Sequence, residues 1–160
     1  MFWNVLLIFL ISMVPIIELR GAVPIGVGME LGIPEWAVLI IAIIGNMVPV
    51  PFIYKFARKF LNWGAGKKWK PLNKFCNFCL KKGTKAGKKM ESKTKGGVYL
   101  ALTLFVGVPI PGTGAWTGTL AASMLGLDYK KSVLAVLLGV LMAGAIMLLL
   151  SMGVFGVVRG

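Results

Sequence analysis

The sequence has no histidine, only five acidic residues and only two cysteines. Without histidine it lacks the commonest general base near neutral pH and the commonest metal ligand. The acids, Glu18, Glu30, Glu35, Glu91 and Asp128, are scattered, so no carboxylate cluster or metal constellation is available. Cys76 and Cys79 form a lone C-x-x-C. A zinc site needs about four ligands, and no further thiol or imidazole exists to complete one. The two are expected to be reduced thiols on a cytoplasmic surface. An enzyme acting on lipid phosphates is disfavoured on the same grounds, and no catalytic residue, metal or cofactor is assigned. Residues 1–17 also lack a basic n-region and a small-residue cleavage site, so no cleavable signal peptide is expected.

What the sequence does hold is apolar. Fifty-eight per cent of the 160 residues are hydrophobic, against roughly 45–50% in a soluble domain, and the mean hydropathy is +0.84. This composition predicts a small polytopic all-α integral membrane protein of one domain. The net charge of +13 is concentrated, with fourteen of eighteen basic residues between Lys55 and Lys95. On a chain this apolar, such a loop is a topology signal and an attractor of anionic lipid at about 1 kcal/mol per residue, rather than a nucleic-acid site.

Two apolar stretches are interrupted where a continuous helix would not choose it. Pro15 is followed by Glu18, Arg20, Gly21 and Pro24; Val108 to Gly118 holds two prolines and three glycines. Proline removes an amide donor and glycine is a poor helix former. At membrane depth, freed backbone groups are tolerated only against protein or a wet cavity. Trp36 to Phe56 reads as a membrane-length helix kinked at Gly45-Asn46 and Pro49-Val50-Pro51, and Ser132 to Val158 as a second one. Pro71 to Lys82 places Leu72, Phe75, Cys76 and Cys79 at helical spacing, which predicts a short helix on the membrane surface. The lysine- and glycine-rich stretch from Gly83 to Gly97 is expected to be mobile. Trp36 and Tyr99 suit interface anchors, and Asp128 suits a turn or helix cap.

The two halves repeat. A shift of 94 residues lays Val14-Pro15-Ile16 on Val108-Pro109-Ile110, Leu31-Gly32 on Leu125-Gly126 and Gly45 on Gly139, without gaps. The expected organisation is a first repeat of hairpin and helix over 1–57, a basic loop with a surface helix over 58–96, and a second repeat over 97–158. The positive-inside rule puts 55–95 and 128–131 in the cytoplasm and both termini outside a multi-pass cell-membrane protein. The two hairpins are then re-entrant and opposed, an inverted repeat with tips near the midplane. A six-crossing layout gives the same sidedness, but the arm from Val98 to Pro109 is too short to span.

Glu18 and Arg20 are the sharpest site candidates, because a charge near the bilayer centre costs at least ~2.5–3.5 kcal/mol. In an irregular stretch they can converge, either as an ion pair holding the tip or as a site. Arg20 suits a phosphate, and Glu18 suits a proton or cation. Free amides near Gly112 and Gly114, the hydroxyls of Thr113 and Thr117, and Trp116 can cradle an anion at a half-helix start. Pro24, Asn46 and Pro111 complete the candidate set, with helix–helix hydrogen bonding the other use of Asn46.

Pro15-x-x-Glu18-Leu19-Arg20-Gly21-Ala22-Val23-Pro24, taken with Pro109-Ile110-Pro111-Gly112-Thr113-Gly114-Ala115-Trp116-Thr117-Gly118, resembles the small multidrug export protein family over about 14–60 and 96–155. That family looks like a relative of the DedA, or SNARE-associated (VTT), superfamily. The resemblance implies opposed re-entrant hairpins and flipping of an anionic lipid such as a polyprenyl phosphate, with proton coupling. Glu18 matches the acidic residue of the first hairpin and Pro111-Gly112 the Pro-Gly of the second. DedA proteins usually carry arginines around that Pro-Gly, where this chain has Val108 and Gly114. The functions expected are therefore anionic-lipid flipping, export of small organic cations, or a non-transporting assembly role. The expected partners are membrane lipids, protons or small cations, and a second copy in a homodimer, but no nucleic acid.

Overall fold

A computed structural model describes every residue except Met1, Glu30, Lys95, Pro111 and Gly160, so the candidate Pro111 lies outside the described residues. Among those described, every regular element is helical: α1 Phe2–Met13, α2 Glu18–Gly28, α3 Glu35–Met47, α4 Pro49–Ala65, α5 Lys70–Phe78, a π-helical stretch Cys79–Gly83, α6 Thr84–Thr94, α7 Gly97–Gly107, α8 Ala115–Leu125 and α9 Tyr129–Arg159.

Proline sets the interruptions. Pro15 stops α1, because the residue before a proline is pushed away from helical angles. The α3–α4 junction falls at Val48, before Pro49 and Pro51. Val48 keeps helical angles (φ −55°, ψ −48°), so the two segments run on as one helix from Glu35 to Ala65. That helix, 31 residues, and Tyr129–Val158, 30 residues, are long and apolar enough to cross a membrane. They carry exposed Phe52, Phe56, Leu134, Leu138 and Leu149, a belt suited to lipid.

The 94-residue offset reappears in the backbone. Gly32 and Gly126 close equivalent turns with φ of +68° and +67°, left-handed angles that favour glycine. α3 begins at Glu35 and α9 at Tyr129, 94 residues on. Gly45 and Gly139 do the same work in each half. A Cβ on Gly45 would stand 2.0 Å from Ser12 Oγ and 2.6 Å from the Phe9 carbonyl. One on Gly139 would stand 2.6 Å from Val106 Cβ and 2.7 Å from the Thr103 carbonyl. Ser12 and Val106, and Phe9 and Thr103, are themselves 94 apart. Each glycine lets the arm before the break lie against its own long helix. Gly45→Ala and Gly139→Ala should each destabilise by about 1–3 kcal/mol, the range for overpacking. Thermal unfolding of the two variants in detergent checks this, and similar losses are expected.

The arms run alongside the long helices. Thr103 Oγ1 donates to the Ala135 carbonyl at 3.0 Å, and Gly107 lies under Met142, so α7 follows α9 in the same direction. Ser123 Oγ donates to the Tyr54 carbonyl at 3.0 Å and Met124 packs against the cluster that holds Leu61, so α8 descends beside α4. One core of Ile8, Leu19, Val23, Val38, Val106, Val136 and Val140 joins the two halves.

The basic section departs from expectation. Residues 84–94 form α6 rather than a mobile stretch. Gly83 and Gly87 sit directly against the carbonyls of Met124 and Leu125, and this docking onto the end of α8 outweighs their low helix propensity. The cysteines are not on a surface. Cys76 and Cys79 are free and buried, packed on Leu61, Gly64 and Met124, while Phe75 is exposed. That face docks on α4. Burial, with Cys76 alongside, pushes the Cys79 thiol up and leaves less of the reactive thiolate. Tyr99 ties α6 to the turn before α9: its hydroxyl donates to Glu91 Oε1 at 2.9 Å and accepts the Asp128 amide at 3.1 Å. Asp128 caps α9, accepting the Lys131 amide at 3.0 Å.

Candidate functional site

The two breaks meet. In the first, Ile16 (φ +87°) and Glu18 (φ +50°) both take left-handed angles, and Gly112 (φ +84°) stands 94 residues after Glu18. Such angles cost of order 1–3 kcal/mol at non-glycine residues and collect at functional sites. The strained backbone aims Glu18 away from its own helix and into the second break.

Glu18 caps α8 from across the molecule. Helix α8 starts after Gly114, which has no side chain to satisfy the first amides. Oε1 of Glu18 accepts the Trp116 amide at 3.1 Å and Oε2 the Ala115 amide at 3.4 Å. A carboxylate there also faces the positive end of the helix dipole. Glu18 is buried, and Gly114 is what admits it: a Cβ on Gly114 would lie 2.2 Å from Oε2.

Arg20 serves the other side of the break. Its Nη2 donates to the carbonyls of Val106 and Val108, both at 3.1 Å, and to Thr113 Oγ1 at 3.0 Å, while Nη1 donates to the Ile110 carbonyl. The Val106 carbonyl belongs to the last turn of α7 and the others follow it, at the end where the dipole is negative. Thr113 Oγ1 in turn faces the Val108 and Ile110 carbonyls at 3.0 and 2.9 Å. Glu18 and Arg20 therefore do not converge on each other. Among the described residues the ion pair within 4 Å is Lys131–Glu91, at 3.6 Å. The residues flanking Leu19 reach opposite ends of the second break, its negative end held by Arg20 and its positive end by Glu18.

A cavity of about 500 Å³ opens where the breaks meet. Glu18, Arg20, Gly112, Thr113, Trp116 and Thr117 all line it. Gly114 does not line it but lies behind the Glu18 carboxylate, where there is no room for a Cβ. The remaining wall is apolar: Ile16, Ile17, Leu120 and Met147. Sequence reasoning missed Met147, which reaches the site from α9 and carries no motif. It also missed the three carbonyls that Arg20 holds. Two candidates stand apart. Pro24 lies inside α2, where it withholds the amide that would bond the Arg20 carbonyl. Asn46 is fully buried near the α3–α4 junction, and its side-chain N and O carry no protein partner. Thr119 and the Trp116 indole N–H, on α8, are likewise buried without one.

No curated protein and no solved structure matches the chain. A family described as "Putative small multi-drug export protein" matches residues 18–146, from Glu18 through both breaks to the middle of α9. With that match over most of its length and two helices fit to cross a bilayer, the chain is a membrane protein and belongs to the small multi-drug export family.

Proposed function

We propose that the chain is a multi-pass transporter of the cell membrane that exports small amphipathic organic cations, with the cavity between the two breaks as its substrate site. The observation that carries this is the cavity itself: a largely apolar, Trp116-walled space with one carboxylate, Glu18, at the joint between the halves, beside an Arg20 already engaged with the carbonyls of the second break. The arms support the placement. α1, α2, α7 and α8 have 11 or 12 residues, about 16–18 Å at ~1.5 Å per residue, roughly half a ~30 Å hydrocarbon core. They suit re-entrant hairpins whose tips meet at mid-depth. With the basic stretch 55–95 and residues 128–131 cytoplasmic, both termini lie outside and the two repeats are inverted.

In this reading Glu18 is the coupling group. A cation beside its carboxylate, or a proton on it, weakens the charge-assisted cap on α8 and loosens the joint. Proton and cation then compete for one carboxylate, the basis of an exchange. No group-transfer chemistry is asked of the site, and the reading is of a transporter rather than an enzyme. Flipping of an anionic lipid such as a polyprenyl phosphate, in the manner of DedA-like proteins, is the second reading, favoured by Arg20 on the cavity wall. It ranks lower because the amides of Ala115 and Trp116, which an incoming phosphate would use, already hold Glu18.

Proteoliposomes separate the two. Wild-type protein is expected to move a fluorescent lipophilic cation in response to a pH gradient. Glu18→Gln should reduce this at least about tenfold, since an amide carries no charge for the cation and takes up no proton to exchange for it. Full cation transport in Glu18→Gln contradicts the reading. Phosphate-lipid flipping without cation transport, lost in Arg20→Ala, replaces it with the second.

A further inference from the structure

A second cavity of about 500 Å³ lies away from the breaks, where the last turns of α4 meet the start of α9. It is lined by Tyr54, Lys55, Arg58, Lys59, Asn62 and Tyr129. Lys55, Arg58, Lys59 and Asn62 are spaced three or four apart, so they share one helix face. Three like charges at that spacing repel, and no carboxylate lines the space. The nearby acids are engaged elsewhere. Asp128 accepts the amide of Lys131, and Glu91 takes Lys131 Nζ at 3.6 Å and the Tyr99 hydroxyl. Lys55 is held in place. Lys55 Nζ sits 5.5 Å from the centre of the Tyr129 ring, Tyr129 meets Tyr54 edge-on at 5.3 Å, and the Tyr54 hydroxyl donates to the Leu127 carbonyl.

A set of one guanidinium and two ammonium groups with no carboxylate among the lining residues is complementary to a phosphate. Its surroundings point to a phosphate carried on lipid. On the same helix, Phe52 and Phe56 are each 70% exposed, apolar surface fit for acyl chains, with Lys55 between them and Arg58 and Lys59 within a turn after Phe56. We propose that this cavity seats the phosphate headgroup of an anionic phospholipid from the leaflet at the lysine-rich end of the protein. It is a lipid site separate from the transport cavity and independent of what that cavity carries.

The test uses the full chain in detergent, titrated with short-chain phosphatidylglycerol, phosphatidylcholine or inorganic phosphate while thermal unfolding is followed by tryptophan fluorescence. Phosphatidylglycerol should raise the unfolding temperature and phosphatidylcholine should not. The variant K55Q/R58Q/K59Q should weaken the apparent affinity for phosphatidylglycerol roughly a hundredfold. K81Q/K85Q/K88Q, with the same change of charge on another surface, should leave it within about twofold of wild type. If the first variant does not fold, Lys59→Gln alone should weaken binding about fivefold. Equal stabilisation by both lipids, or equal loss in both triple variants, overturns the site. Equal stabilisation by inorganic phosphate overturns the lipid as its source.

Discussion

Arg20→Ala is expected to unseat the second break and abolish transport. The guanidinium reaches Val106, Val108, Ile110 and Thr113 together. Hydrogen bonds to a charged group are worth about 1.5–3 kcal/mol each, so two at full strength amount to about 3–6 kcal/mol against a net stability of ~5–15 kcal/mol. With the break at mid-bilayer, as proposed above, the released carbonyls would find few partners, which would raise the loss further. Arg20→Lys should fall between, because an ammonium keeps the charge but lacks the planar fork that spans several acceptors. The check is thermal unfolding and monodispersity in detergent alongside transport. An alanine variant as stable and active as wild type would mean that Arg20 does not hold the break.

Gly114→Ala is the second large effect, and its cause is steric. Gly114 has φ 169°, extended backbone open to any residue, so alanine brings no backbone strain. Its Cβ would nonetheless stand 2.2 Å from Glu18 Oε2 and 2.7 Å from Cδ. The carboxylate must leave the amides of Ala115 and Trp116, removing a cap worth about 0.5–2 kcal/mol and burying a displaced charge. Transport should fall as far as in Glu18→Gln. The two residues should also couple. In a Glu18→Ala background, Gly114→Ala meets no carboxylate and should cost less by about 0.5–3 kcal/mol, the range for contacting residues. Additive losses would place the carboxylate elsewhere.

Much of this architecture is legible in the sequence, for local reasons. Pro15 and Pro109 mark the breaks because proline acts on its own turn of helix. Gly32 with Gly126, and Gly45 with Gly139, expose the repeat because a left-handed turn and a close helix crossing both select against a Cβ. The partners across the breaks are not legible. Glu18 and its amides are 97 and 98 residues apart, and Arg20 and its carbonyls 86 to 90. Read locally, two opposite charges beside Leu19 suggest a pair. The structure instead sends each to the helix end of opposite polarity. Helix α6 and the buried cysteines were hidden for a related reason. Bare backbone at Gly83 and Gly87 is a poor helix signal until the end of α8 is set against it. The cysteine face is apolar enough for lipid, but α4 covers it first.

The proposed meeting of the two breaks at mid-bilayer, from opposite faces, is tested most directly by depth. Val14 and Val108 are 94 residues apart, flank equivalent breaks, are each about two-fifths exposed, and do not line the cavity. A nitroxide on Val14→Cys or Val108→Cys, in protein whose Cys76 and Cys79 are serine, reports its collisions with oxygen and with a water-soluble nickel complex in lipid bilayers. At both positions oxygen should dominate and nickel should be excluded, with the two labels at similar depth. Ready access of nickel to either label would mean that the chain at that break passes through to water, and opposed re-entrant hairpins would be contradicted.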